Sequence, residues 1–429
     1  MGFRTPVWPR RYGHGHAPIG PTLRVGRAAD VRPENESPVG TLELNRVERE
    51  LPTALHLPSL RGFPSLRSIF FTRIPRVPAS GDPLHPSSTL CACLPRVSLC
   101  SSLPTRLEHV AHMSRRLGIQ LFIKRDDQTG LAFGGNKIRN HEFIFGEAVE
   151  QGCNAVITTA GVQSNMCRAT AAAAARLGMR CVLLLRGSGE EPNQGNLMLD
   201  RLLGAEIRFI PTQDPYDERV DGWLAEAEAD LRKEGMNAYV LHLTGDASTI
   251  AASAYVHAAE ELSGQFDEQG IDPERIFVTV GSGVTAAGLA LGLKHLGRRT
   301  RVVGISSSSE RGFLEKRVQM YARATAERLG VDTRVELDDF EILDQYVGDG
   351  YSIPTPGAID AIRLVAREDA LVMDPVYTGK CLAGLIDQVE RGAITKGESI
   401  VFLHTGGVPN LFAQAGAMAD CGTAGQGIR

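Results

Sequence analysis

The chain has 429 residues, 43% of them hydrophobic and 22% charged, with a formal net charge of −4. That is enough apolar material for a sizeable core, most simply arranged as two domains. No strong basic field argues for nucleic acid or a membrane surface, and no apolar run of about 18 residues argues for a membrane span.

The first 95 residues differ from the rest: 15 of the 23 prolines precede residue 105, mixed with Arg, Gly and Ser. Such a segment buries too little apolar surface to offset chain entropy, so 1–95 is expected to be a disordered extension. Residues 1–29 carry five arginines and no acid, which is transit-peptide-like. They also lack serine, and their prolines and glycines would break an amphipathic helix. A translated extension without a role is the competing reading.

From residue 105 strand and helix patterns alternate. "LFIKRDD" reads as a strand and 137–151 as a helix, followed by "NAVITTA" (strand) and "SNMCRATAAAAARLGM" (helix). "RCVLLLR", "EIRFIP" and "NAYVLHL" are further strands, separated by helices at "GNLMLDRLLG" and 218–234. An alanine-rich helix near 248–263 leads to the strand "RIFVTV", a glycine turn and the helix "TAAGLALGLKHLG". Then come "RVVGISSS" as strand, two helical stretches, "ALVM" as a short strand, another helix and the strand "SIVFLHTGG". Near-continuous apolar strands are what a parallel sheet covered on both faces requires, so the fold class is α/β with right-handed crossovers.

In such sheets ligands bind where strand ends meet helix N-termini. Four junctions qualify: "GGNKIRN", "TTAGVQSN", "TVGSGVTAAG" and "HTGGVPN". In the third, the strand that follows the turn ends in serines, without the acidic residue a dinucleotide ribose needs. The N–H run over Gly281, Ser282, Gly283, Val284 and Thr285 suits a single phosphate, the alternative being a tight packing turn. Lys137 is set at a helix start, where the dipole gives a cation no support. A phosphate cradle with a lysine at a second strand end points to pyridoxal 5'-phosphate; a phosphate-steering or merely solvated lysine is the plainer reading. The eight cysteines show no C-x-x-C pair and no zinc-like spacing with histidine. Reduced thiols in a cytoplasm-like compartment, with no metal, are expected.

The stretches "IKRDDQTGLAFGGNKIR", "GVQSNMCRATAAAAARLGM", "GSGVTAAGLALGL", "DPVYTGKCLAGLID" and "HTGGVPNLF" resemble the family of 1-aminocyclopropane-1-carboxylate deaminases and D-cysteine desulfhydrases. The resemblance implies the two-domain tryptophan-synthase-β-like fold, fold type II among pyridoxal phosphate enzymes, with open, mostly parallel sheets and helices on both faces. It implies a larger cofactor domain (96–140 with 255–420), a smaller one (141–254) and a homodimer. Lys137 would be the Schiff-base lysine and later the Cα base. Asn165 would bond the cofactor's ring oxygen, and Gly281 to Thr285 would hold its phosphate. Ser164, with Asn165 and Gln163, would meet the substrate carboxylate, and Ser164 is equally a helix N-cap. Tyr351 and Tyr377 match the family's active-site tyrosines, although lone tyrosines often serve packing. Thr405 would face the pyridine nitrogen.

Three departures concern the surroundings: Asn140 where a second lysine is usual, Val284 in the glycine loop, and "LHLTGDASTIAASAY" in place of a glycine-rich stretch. By the same resemblance, the position after the "DPVY" tyrosine is a glutamate approaching the pyridine nitrogen in the deaminase branch, whereas this chain has Thr378, as in the desulfhydrase branch. The implied reaction is β-elimination and deamination of a small amino acid, D-cysteine giving pyruvate, ammonia and hydrogen sulfide. Alternatives are 1-aminocyclopropane-1-carboxylate deamination, β-replacement, and a catalytically silent cofactor-binding or regulatory protein.

Overall fold

The structure, a computed structural model, describes residues 90–422 except 216, 243 and 244. The extension read over 1–95 therefore lies outside the described residues as far as position 89. Residues 90–95 are not loose: Cys91 is buried in the main core with Val97 and Leu99. The Glu142 carboxylate accepts from the backbone N–H groups of Leu99 (2.8 Å) and Cys100 (2.8 Å) and from Arg96 Nη2 (2.6 Å).

In chain order the elements are β1 (Leu107–His109), α1 (Ala111–Leu117), β2 (Gln120–Lys124), α2 (Asn136–Glu150), β3 (Ala155–Gly161), α3 (Asn165–Leu177) and β4 (Arg180–Arg186). There follow α4 (Gly195–Leu202), β5 (Glu206–Ile210), α5 (Arg219–Lys233), β6 (Ala238–Leu241), α6 (Asp246–Gln269), β7 (Arg275–Val280) and α7 (Val284–His295). The last part holds β8 (Arg301–Ser306), α8 (Arg311–Leu329), β9 (Phe340–Leu343), α9 (Pro356–Asp369), α10 (Thr378–Glu390), β10 (Ser399–Leu403) and α11 (Val408–Ala413).

Two sheets result. The larger runs β1-β2-β10-β7-β8-β9 and the smaller β5-β4-β3-β6. All pairings are parallel except β1 with β2. Strands such as β4 are apolar along their length because helices cover both faces. Two assignments along the chain need correction. "ALVM" is not a strand: Leu371 and Met373 are buried in the core, and the Val372 carbonyl lies 3.1 Å from His404 Nε2 instead of in a ladder. The sheet edge is β9, whose "FEIL" was hidden between two helical patterns.

A buried polar network fixes α2, and so the lysine in its first turn. Arg139 donates to Asp126 (2.8 Å) and Glu261 (2.9 Å), Tyr255 donates to Asp126 (2.6 Å), and Lys124 pairs with Glu261. These residues come from β2, the loop after it, α2 and α6. Breaking such a buried pair by removing one partner typically costs about 3–5 kcal/mol, because the other charge stays buried.

Candidate active site

The four junctions converge on one cavity of about 490 Å³, within the range of small-molecule sites. Close backbone approach builds one wall. A Cβ on Gly406 would lie 2.8 Å from Gly135 Cα, and one on Gly135 would lie 2.9 Å from the Thr405 carbonyl. Gly135 has φ +107°, so glycine is required there on both counts. This contact sets the start of α2 on the loop after β10, and Asn136 N–H donates to the Thr405 carbonyl at 3.1 Å.

Lys137 lines the cavity. Among the described residues its side chain makes no hydrogen bond or ion pair, and burial pushes its pKa down to about 8. A primary amine so placed spends part of its time neutral at physiological pH, as a nucleophile toward a carbonyl must. One turn on, His141 is also pushed down, to about 3, by burial first and by the Lys137 charge second.

Ser164 is the N-cap of α3, its Oγ accepting from Met166 N (3.1 Å) and Cys167 N (3.3 Å). Ser164 also lines the cavity, so capping and ligand binding are compatible. Asn165 Oδ1 accepts from Asn196 Nδ2 at 3.0 Å, and Asn196 also donates to the Gln163 carbonyl at 2.9 Å. This leaves the Asn165 amide N–H groups for a cavity acceptor. Gln163 is the exception among the expected site residues. Its Oε1 accepts from Asn196 N at 2.8 Å and its Nε2 donates to the Gln194 carbonyl at 3.1 Å. The side chain thus secures the start of α4 and does not line the cavity.

At the other end, Gly281, Ser282, Gly283, Val284 and Thr285 line the cavity together. Gly283, with φ +95°, is the N-cap of α7 and provides no capping side chain, so the first N–H groups of the helix are open to an anion. A Cβ there would meet Val318 Cγ2 at 3.4 Å. The Val284 side chain is taken up by the core, and Thr285 Oγ1 accepts from Asn136 Nδ2 at 3.1 Å. Asn140 also lines the cavity, with its buried Oδ1 lacking a hydrogen-bond partner among the described residues.

Tyr351 and Tyr377 face each other with hydroxyl oxygens 2.5 Å apart. Burial raises the Tyr377 phenol and, although its ring is partly exposed, desolvation of its hydroxyl raises Tyr351 too, so both are protonated at neutral pH. Thr405, against the start of α2, also lines the cavity. Thr378 is elsewhere: fully buried, it donates to Asp374 Oδ1 at 2.7 Å as α10 begins. None of the described residues lining the cavity is an aspartate or glutamate, while Arg186 and Arg317 join Lys137 there. Sequence reading missed both arginines. Arg186 is the last residue of an apolar strand and Arg317 lies inside α8, so neither sits in a motif.

An unpaired buried amine, an open helix N-terminus for a phosphate, an amide for a ring oxygen and a hydroxyl opposite form a donor set that fits pyridoxal phosphate. The molecule is an α/β enzyme of that cofactor class. The chain belongs to the family of pyridoxal-phosphate dependent enzymes, whose description matches residues 102–406, and within it to the group containing 1-aminocyclopropane-1-carboxylate deaminases. It is 34% identical over 325 residues to a 1-aminocyclopropane-1-carboxylate deaminase of Burkholderia multivorans, covering 74% of this chain and 96% of that one. A Pyrococcus abyssi protein provisionally given the same name is 37% identical over 331 residues (77% of this chain, 97% of that one). The crystal structure of an ACC deaminase homologue superposes with a TM-score of 0.70 at 36% identity, over 77% of this chain and 98% of that one. Threonine deaminase isoform 2 of Solanum lycopersicum, at 18% identity and a TM-score of 0.53 over 75% and 84% of the two chains, shares the fold. No helix of the described residues is long and apolar enough to cross a membrane.

Proposed function

We propose that the enzyme catalyses β-elimination and hydrolytic deamination of a small amino acid with a good β leaving group, D-cysteine foremost, which with one water gives pyruvate, ammonia and hydrogen sulfide. Lys137 would hold the cofactor, the first turn of α7 its phosphate and Asn165 its ring oxygen. The bound cofactor supplies an electron sink for the charge left at Cα. Lys137 Nζ would also be the base that takes the Cα proton. Ser164 orients the substrate carboxylate at the start of α3, and the Tyr351–Tyr377 hydroxyl pair manages the proton at the β-substituent.

The observation that carries the choice of reaction is the absence of a carboxylate among the described cavity residues. A carboxylate beside the pyridine nitrogen would keep it protonated, since an opposite charge within a few ångströms typically shifts a pKa by about 1–3 units. Thr405 provides a neutral hydroxyl, and Thr378 is bound to Asp374. The ring is then a milder sink, adequate for expelling a thiolate and poor for opening a strained carbocycle. The second reading, 1-aminocyclopropane-1-carboxylate deamination, is favoured by the names of the relatives.

Keto-acid release from D-cysteine, β-chloro-D-alanine and 1-aminocyclopropane-1-carboxylate decides between them. The proposal expects kcat/KM for the first two to exceed that for the cyclopropane by more than about tenfold, roughly 1.4 kcal/mol of barrier. Equal values would favour the deaminase, and release from none would favour a silent protein.

The proposal also includes a larger domain (96–140 with 255–420), a smaller one (141–254), a homodimer and a cytoplasmic setting. The separate small sheet β3–β6 supports the division. Free Cys93, Cys100 and Cys153, not fully buried, support a reducing compartment. Exposed Met198, Leu202 and Phe412, on the neighbouring helices α4 and α11, support a second copy.

A further inference from the structure

Arg186 ends β4 and stands opposite Gly161 in the parallel register with β3. Its Nη2 lies 3.8 Å from the position a Cβ on Gly161 would take. The Gly161 carbonyl accepts from Ser164 N–H at 3.0 Å, so the guanidinium lies over the turn that opens α3. The side chain is only 7% exposed and it lines the cavity. Its Nε and Nη1 are buried without a hydrogen-bond partner among the described residues.

A guanidinium stays charged under nearly all conditions, and burying one without a counter-ion is costly. Among the described residues no carboxylate forms an ion pair with it. The Cys167 thiol and the Tyr351 and Tyr377 phenols are raised and so stay protonated, and Asp214, on the exposed loop after β5, favours the guanidinium only through its charge. The phosphate cradle has its own cation: Arg317 Cβ lies 3.5 Å from the Cβ position of Gly283, and its Nε donates to the Ser282 carbonyl at 3.0 Å. Two arginines at two helix starts imply two anions.

We infer that Arg186 is the substrate's charge-recognition residue, its guanidinium taking the carboxylate of the amino acid jointly with the N-terminus of α3. A planar fork of donors matches a carboxylate in a way that an ammonium or an amide does not. The inference rests on the reading that the cavity accepts an amino acid, and it makes the carboxylate, more than the side chain, the source of affinity.

The test titrates the wild-type holoenzyme, Arg186→Gln and Arg186→Lys with propionate and its uncharged isostere propionamide, following cofactor absorbance and Tm. Wild type should bind propionate about tenfold or more tighter than propionamide, a ratio typical of a charge-assisted pair. Arg186→Gln should erase that preference while keeping its cofactor, and Arg186→Lys should restore part of it. With a turned-over amino acid, Arg186→Gln should raise KM by a similar factor and change kcat much less. Equal propionate affinity in wild type and Arg186→Gln, no acid preference in wild type, or loss of cofactor from both variants would overturn the inference. The propionate result stands even if no amino acid releases a keto acid, so failure of the proposed reaction is read separately.

Discussion

Replacing Lys137 by methionine should stabilise the cofactor-free protein at neutral pH, although it removes the residue on which the site depends. Burial lowers the lysine from 10.5 to about 8, so folding at pH 7 forces a charged amine into a place that favours the neutral form. The gap corresponds to ~3.4 kcal/mol at most. Lys137 keeps part of its surface open to the cavity, and solvent screening there reduces the figure to about 2 kcal/mol. The sign follows from proton counting. Between about pH 8 and 10.5 the unfolded chain holds a proton the folded one has released, so wild-type stability from this group rises with pH. Below about 8 the penalty is present in full, and above 10.5 it is gone. Urea denaturation of cofactor-stripped wild type and Lys137→Met at pH 7 and pH 10 measures it. Any packing difference between Lys and Met cancels in the comparison across pH. The advantage of Lys137→Met should shrink by about 1–1.5 kcal/mol between pH 7 and pH 10, the remainder disappearing only above the unfolded lysine's own pKa. An advantage independent of pH would refute the claim that the lysine is held in an environment hostile to its charge.

Tyr377→Phe should lower kcat by about 100-fold with little change in KM, the usual scale for a lost proton-transfer group. It leaves the Tyr351 hydroxyl without its partner at 2.5 Å, and a fall in KM affinity alone would assign the pair to packing. A chain starting at Ser101 should lose at least 3 kcal/mol of stability in urea, since Glu142 would keep its buried carboxylate and lose Arg96 and two backbone donors. A chain starting before Leu90 should keep both fold and cofactor; equal stability of the two would remove Glu142 from the folding account.

Most strands are legible in the sequence because covered parallel strands have to be largely apolar, as "RCVLLLR" and "RIFVTV" are. Helix starts were visible for a related reason: open N–H groups call for Ser164 or a glycine such as Gly283. What stayed hidden depends on distant partners. β9 carries a glutamate within four residues and borrows its identity from β8, while "ALVM" is apolar because it is buried, with no ladder beside it. Gln163 stands in the right motif, but Asn196 from α4 claims its side chain. Arg186 looks like an ordinary strand-ending cation until the register with β3 places it beside the start of α3. The stretch carrying Thr378 was read for a contact with the ring, yet its hydroxyl serves Asp374 and its effect on the site is the carboxylate it does not supply.

The central claim is that Lys137 carries the cofactor, and borohydride reduction of the purified protein tests it most directly. Reduction should abolish the visible absorbance and fix the cofactor to one peptide, which mass spectrometry should identify as the one containing Lys137. The competing buried lysines are occupied: Lys124 pairs with Glu261, and Lys380 Nζ donates to the Val347 (2.7 Å) and Gly350 (3.0 Å) carbonyls. Label on Lys137 is the predicted result, and label on Lys124 or Lys380 would contradict the account.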